Sequence, residues 1–180
     1  TTTVTTVTST DLDASATATY SISGTDVDDF TIDSSSGVLT FSSSPNYELP
    51  TDSDLDNVYT VIVTVTDNGS LTDTQAITVT ITDVNEFTPI ITSNGGSSTA
   101  SISYAENSTS TVTTVTSTDG DGSSTATFTI IGGLDASDFT LGSSNGVLTY
   151  NTTPNFESPH DSDTDNSYVV VVQVSDGTNT

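Results

Sequence analysis

Apolar and polar residues alternate along most of this chain with a period of two. Ala76-Ile77-Thr78-Val79-Thr80-Ile81-Thr82 puts every second side chain on one face, and the run from Val58 to Thr66 behaves in nearly the same way. That spacing is the mark of a half-buried strand. Strands are predicted at 2–9, 17–23, 29–33, 37–42, 58–66 and 74–82, and again at 90–93, 99–105, 110–118, 125–131, 138–142, 146–150 and 167–175. Gly, Asn, Asp and Pro separate them, and no stretch holds helical spacing over three turns. Short, evenly spaced strands with turn residues between them predict an all-β, antiparallel sandwich architecture.

The pattern also repeats. Thr3 to Asp13 recurs as Thr111 to Asp121, differing only where Gly120 replaces Leu12. Asp29-Phe30-Thr31-Ile32 returns as Asp138-Phe139-Thr140-Leu141, and Gly37 to Phe41 returns as Gly146 to Tyr150. Pro45-Asn46-Tyr47-Glu48 returns as Pro154-Asn155-Phe156-Glu157, and Asp52 to Asn57 as Asp161 to Asn166. The copies lie about 109 residues apart (Asp29 to Asp138), the usual size of one β-sandwich. Two tandem units are therefore expected, 1–88 and 89–180. The register makes the first lack its opening strand and the second its closing one, as in a window on a longer array.

Aromatic residues follow the repeat. Tyr20 matches Phe128, Phe30 matches Phe139, Phe41 matches Tyr150, Tyr47 matches Phe156 and Tyr59 matches Tyr168. Repetition predicts core positions for all of these. Phe87 and Tyr104 alone have no counterpart.

Charge changes the picture next. The chain has 180 residues, 24 carboxylates, no Lys or Arg and one His, a formal charge of −24. Without basic residues it cannot neutralise a phosphate backbone or an anionic membrane surface, which excludes nucleic-acid binding and membrane docking by charge. Nearly two residues in five are Thr or Ser. High charge with low hydrophobicity is also a signature of disorder, but the β-branched and aromatic alternation argues for packed strands. No apolar run is long enough to span a bilayer, so no direct membrane insertion is expected. Absence of Cys leaves the fold without disulfides.

The acids gather at particular places. Asp83-Val84-Asn85-Glu86-Phe87-Thr88-Pro89 sits between the two copies and packs three side-chain oxygen donors and a proline into seven residues. A connecting segment has no evident use for such donors unless a positive group sits among them, and the chain supplies none. The linker is therefore expected to hold a metal ion. Calcium fits best, because it takes six to eight oxygens from carboxylates, amides and backbone carbonyls.

Taken together and in order, these elements resemble the tandem cadherin-type repeats of large bacterial surface proteins. The matching motifs are Ala105-Glu106-Asn107, the pairs Asp11/Asp13 and Asp119/Asp121, Asn46-Tyr47-Glu48, Val65-Thr66-Asp67 with its counterpart at Asp176, and the linker. The resemblance implies seven-stranded Greek-key sandwiches with Ca2+ shared between consecutive repeats. It implies ligands Asn46, Glu48, Asp83, Asn85 and Glu86 from the first repeat and Asp119, Asp121 and Asp176 from the second. Backbone carbonyls of Val84 and Phe87 would complete the set. Asp11, Asp13 and Asp67 would form half of an upstream site, and Glu106, Asn155 and Glu157 half of a downstream one. Asn46 and Glu86 stand where the family has Asp, so the ion nearest Asn46 would bind more weakly or be absent. The function implied is an extracellular, cell-surface one: a structural stalk in adhesion or fibre assembly, with homotypic contacts to further repeats or copies. The alternative is calcium-dependent glycan binding.

Other features carry less. Asp52-Ser53-Asp54-Leu55-Asp56-Asn57 resembles the opening of a calcium loop but lacks the following Gly and the distal Glu. Each Asp alone also reads as a turn or cap residue. His160 reads as a solvated loop residue. No nucleophile elbow, Cys nucleophile or His pair is present, so no enzymatic activity is expected. Sequons at Asn68, Asn107 and Asn151 permit glycosylation.

Overall fold

The computed structural model of the protein describes residues 2–13, 17–121 and 125–180. The chain is all-β, and it divides into two compact units, Thr1–Val84 and Asn85–Thr180.

In the first unit the alternating runs become β1 (Thr3–Thr6), β2 (Thr19–Ser23), β3 (Phe30–Ile32), β4 (Val38–Phe41), β5 (Val58–Thr66) and β6 (Thr72–Thr80). They pair antiparallel in two three-stranded sheets, β1-β4-β3 and β2-β5-β6. Period-two patterning sets which side chains go inside. Along β5, Tyr59, Val61 and Val63 are buried while Ile62 faces out. Phe30, Leu39 and Phe41 join Tyr59 and Val61 in one cluster, with Val4, Ile22 and Val79 packed around it. The Phe30 and Phe41 rings stack at 4.7 Å between centroids, and Tyr59 meets Phe41 edge-on at 5.3 Å, the offset and T-shaped geometries that ring quadrupoles favour.

The second unit contains β7 (Ile90–Ile91), β8 (Thr113–Thr114), β9 (Ser117–Thr118), β10 (Thr127–Gly132), β11 (Phe139–Leu141), β12 (Val147–Tyr150) and β13 (Val171–Ser175). Its pairings are β11-β12-β8, β10-β13 and β7-β9, all antiparallel. The aromatic trio is rebuilt from the matching positions. Phe139 lies 4.6 Å from Tyr150, and Tyr168 meets both edge-on at 6.4 and 5.1 Å. Val115, Phe128 and Val174 form a buried cluster beside it.

The repeated glycine ahead of Val-Leu-Thr has a steric cause in both copies. Gly37 and Gly146 sit at φ +70° and +66°, and a Cβ there would run into the carbonyl oxygens of Val7 and Val115 respectively. Those two carbonyls lie close because Val7 N–H donates to Gly37 O and Val115 N–H to Gly146 O. Only glycine tolerates both the left-handed backbone and that approach.

Several expectations need correction. The predicted strand at 99–105 is absent, since the segment is almost wholly exposed and has no ladder partner among the described residues. Tyr104 is its anchor, its ring tilted against Tyr150 at 5.1 Å and its hydroxyl donating to Ser110 O at 2.6 Å. The run expected at 110–118 splits into β8 and β9 because the chain changes partners at Val115, pairing first with β12 and then with β7. Tyr47 and Phe156, expected in the core, are 39% and 64% exposed. They ride on loops whose backbone is fixed instead by Asn57 and Asn166, whose amides donate to the carbonyls of Tyr47 and Phe156.

Candidate metal centre

The second unit gathers carboxylates from two separated stretches. Asp119, Asp121 and Asp176 each offer an oxygen, and these oxygens lie within 4.8 Å of one another. Asp121 is buried, while Asp119 and Asp176 are partly so. Two charges at this spacing repel by a few kcal/mol at an effective dielectric of about 20. Local hydrogen bonds place them. Asp121 N–H donates to Asp119 Oδ1 at 3.0 Å, so the Asp-Gly-Asp segment folds back on itself. Thr178 N–H and Asn179 N–H donate to Asp176 Oδ1 at 2.7 and 2.5 Å. Partial burial works against the Asp176 charge, but these two N–H groups outweigh it, aided by the Asn179 and Asn85 amides, and its pKa falls below the usual carboxylate value.

Asn85 and Phe87, the linker residues that belong to this unit, close on the same cluster. Phe87 N–H donates to Asp121 Oδ2 at 3.0 Å. Asn179 Nδ2 donates to Phe87 O at 2.8 Å and to Asp176 Oδ2 at 3.2 Å. Turning the Asn85 amide over lets its nitrogen donate to Asp176 Oδ2 at 2.7 Å and Asp121 Oδ2 at 3.1 Å. Asp119 Oδ2 is buried and has no hydrogen-bond partner among the described residues. Hard oxygen donors, crowded carboxylates and an orphaned buried oxygen, in a chain without Lys or Arg, fit a divalent cation of the calcium type.

Gly120 matters here for space. A Cβ on it would come within 2.5–2.8 Å of the Phe87 ring, whereas its counterpart Leu12 stands fully in solvent. The single difference between the two otherwise matching segments thus lets Phe87 cover the turn.

The first unit repeats part of the arrangement. Asp13 N–H donates to Asp11 Oδ1 at 2.8 Å, and Leu71 N–H donates to Asp67 Oδ1 at 2.7 Å. Asp11, Asp13 and Asp67 line one groove of about 350 Å³ with Ser9, Thr10 and Val65. Elsewhere in that unit Asn46 accepts Glu48 N–H at 3.0 Å, a turn role for its side chain. Both Glu48 oxygens are buried without a hydrogen-bond partner among the described residues. In the second unit Glu106 reaches the matching loop, accepting Phe156 N–H at 3.0 Å, and Asn155 accepts Glu157 N–H at 3.0 Å. Val84 and Glu86 are exposed, and Asp83 is partly buried.

Two groups of residues escaped the sequence reading. Asn179 is the main donor into the second unit's cluster, and only its position three residues after Asp176 hints at it. Asp26 and Asp135 are buried carboxylates with a structural role. Asp26 accepts Ser53 N–H at 2.8 Å and Thr60 N–H at 2.7 Å, and Asp135 accepts Ser162 N–H and Val169 N–H, both at 2.7 Å. These N–H groups hold the Asp135 pKa below its ordinary value against the opposing effect of burial. Asp135→Ala should cost roughly 3 kcal/mol in urea unfolding, since two buried N–H groups lose a charged acceptor. Because the folded pKa is depressed, that contribution is complete above the unfolded value near 3.9 and is lost as pH falls through the folded one. The variant and parent should therefore converge in stability in strong acid.

Two antiparallel units in tandem, each with carboxylates gathered from separate loops, define a tandem β-sandwich repeat protein. Residues 1–82 match the family model of the cadherin domain, and the fold is cadherin-like. Mouse cadherin-23 EC22-24 superposes with a TM-score of 0.71 at 18% identity, covering 99% of this chain and 54% of that one. The extracellular cadherin domains 3-6 of protocadherin gamma B2 give 0.71 at 18% identity over 96% of this chain and 42% of theirs. Drosophila N-cadherin EC1-4 gives 0.60 at 23% identity over 90% of this chain and 37% of its own. The chain thus spans about half or less of the solved chains cited. No curated protein matches it in sequence. Cadherin domains are modules of structure and adhesion that typically bind calcium. Among the described residues no helix is long and apolar enough to cross a membrane.

Proposed function

We infer that this chain is a calcium-rigidified segment of a large extracellular adhesin or surface fibre, serving as stalk and in adhesion or self-assembly. The observation that carries this reading is the tie between linker and cluster: Asn85 and Phe87 are bonded into the group formed by Asp119, Asp121 and Asp176. A calcium ion among those carboxylates would cancel their repulsion and fasten residues 85–87 to the second unit. A connecting segment so fastened loses bending freedom, and the stalk stiffens. Glu48, with its orphaned oxygens, is the strongest candidate ligand of the first unit, followed by Asp83, Asn46, Val84 and Glu86. Asp11, Asp13 and Asp67, and likewise Glu106, Asn155 and Glu157, are the candidates for further ions.

Solvent-open sites of this kind suit millimolar calcium, which prevails outside cells. The likeness to extracellular cadherin domains supports the same location. Homotypic contact with further repeats or copies is the partner class this reading favours. Calorimetric titration with calcium is its test. Saturable binding is expected, with fewer ions bound by Asp121→Asn than by the parent, and an absence of heat at millimolar calcium would remove the basis for a rigidified stalk. Electron microscopy of the purified protein with and without chelator tests self-assembly, which particles that stay single in both would contradict.

A further inference from the structure

A second kind of carboxylate cluster lies within each unit, apart from the ligands of the candidate metal centre. Asp52, Asp54 and Asp56 place one oxygen each within 4.8 Å of one another, and Asp161, Asp163 and Asp165 do the same at the matching loop. We propose that each of these loops binds one calcium ion of its own, held by the three alternate aspartates.

The loop is built around its first aspartate. Asp161 is 3% exposed, and its Oδ2 accepts Asp165 N–H at 2.7 Å and Asn166 N–H at 3.2 Å. Asp52, 1% exposed, accepts Asp56 N–H at 2.8 Å and Asn57 N–H at 3.3 Å. The second oxygen of Asp161, Oδ1, is buried and has no hydrogen-bond partner among the described residues. A desolvated carboxylate oxygen with no donor is costly. The groups gathered with it, Asp163 and Asp165, are carboxylates as well, and the chain contains no Lys or Arg to serve them. Asp54 and Asp163 are exposed.

The sharp turn that calcium loops obtain from glycine at their sixth position is present by another route. Asn57 and Asn166 occupy that position at φ +65°, a conformation Asn tolerates better than most residues. Their amides also anchor the loops to Tyr47 O and Phe156 O. The missing distal Glu leaves coordination positions for water, so binding should fall in the weak range of extracellular modules, about 0.1–1 mM. Asp163 lies against Asp161 in the same group. A proton shared between Asp161 and Asp163 is therefore the competing explanation for the orphaned oxygen.

The experiment counts calcium ions bound at millimolar free calcium and neutral pH, by equilibrium dialysis of the whole chain. Three proteins are compared: the parent, D54N/D163N and D119N/D176N. The proposal expects D54N/D163N to bind two fewer ions than the parent. D119N/D176N should keep those two, whatever it loses at the other cluster. An unchanged count in D54N/D163N, with its circular dichroism spectrum intact, overturns the proposal and favours the shared proton. If D54N/D163N loses ions and D119N/D176N loses none, the loop sites stand and the linker site falls. D54K/D163K is the second variant, carrying its own ammonium into each loop. It should also bind two fewer ions and should melt higher than the parent in chelator; a parental count in this folded variant equally overturns the proposal.

Discussion

Millimolar calcium should raise the melting temperature of the chelated protein by about 10–20 °C, and Asp121→Asn should remove most of that rise. The size follows from linkage. A ligand at a hundred times its dissociation constant stabilises the folded state by about 2.7 kcal/mol, and 1 kcal/mol moves the midpoint of a domain of 60–100 residues by about 4–8 °C. Asp121 is the residue to change because it is buried, belongs to the three-aspartate group and accepts Phe87 N–H. Asn keeps the shape and removes the charge. Magnesium should give a much smaller shift, since it demands near-octahedral geometry and sheds its waters reluctantly. Equal melting curves in calcium, magnesium and chelator would show that the carboxylates serve only as turn residues.

Tyr59→Ala should destabilise the first unit by about 4 kcal/mol, the range for emptying a large aromatic site in a packed core. Tyr59 is 1% exposed, sits edge-on to both Phe30 and Phe41, and accepts Thr51 N–H at 3.0 Å through its hydroxyl. A loss of that size is a large fraction of the 5–15 kcal/mol that holds a domain together. Tyr59→Phe separates the two contributions. It removes only the hydroxyl and should cost about 1 kcal/mol. Urea unfolding followed by circular dichroism reads both; a Tyr59→Ala cost below that of Tyr59→Phe would mean the aromatic trio is not the centre of the core.

How far the sequence anticipates the structure differs from element to element. Where alternation was strong it located the strands well. Val58–Thr66 is a strand with the expected boundaries, because nine alternating residues dictate which face is buried and the neighbouring β6 confirms the register. The matched aromatics Phe30/Phe139, Phe41/Tyr150 and Tyr59/Tyr168 pack in nearly the same ring geometry in both copies, although Tyr150 and Tyr168 are only partly buried. Alternation failed at 99–105, where polar and small residues alternate just as well but no ladder forms among the described residues. Repetition likewise failed for Tyr47 and Phe156, since a residue can recur for its backbone carbonyl rather than its ring.

The acids divide along similar lines. Asp119, Asp121 and Asp176 come together with Asn85 and Phe87, a grouping that the family resemblance implies and that spacing alone does not give. Asn46 and Asn155 turn out to use their side-chain oxygens as turn acceptors for Glu48 and Glu157. Asp26 and Asp135 were invisible as core residues, because a carboxylate serving two backbone N–H groups leaves no trace in hydrophobic patterning. Asn179 has no counterpart signal in the first copy, where the turn after Asp67 closes through Leu71 instead.

Amide hydrogen exchange across residues 83–90, read by mass spectrometry in calcium and in chelator, bears most directly on the claim that a cation fastens the linker. Slow exchange at Phe87 and its neighbours in millimolar calcium is expected, becoming fast in chelator and fast under both conditions in Asp121→Asn. Exchange that is equally slow or equally fast with and without calcium in the parent protein would contradict it.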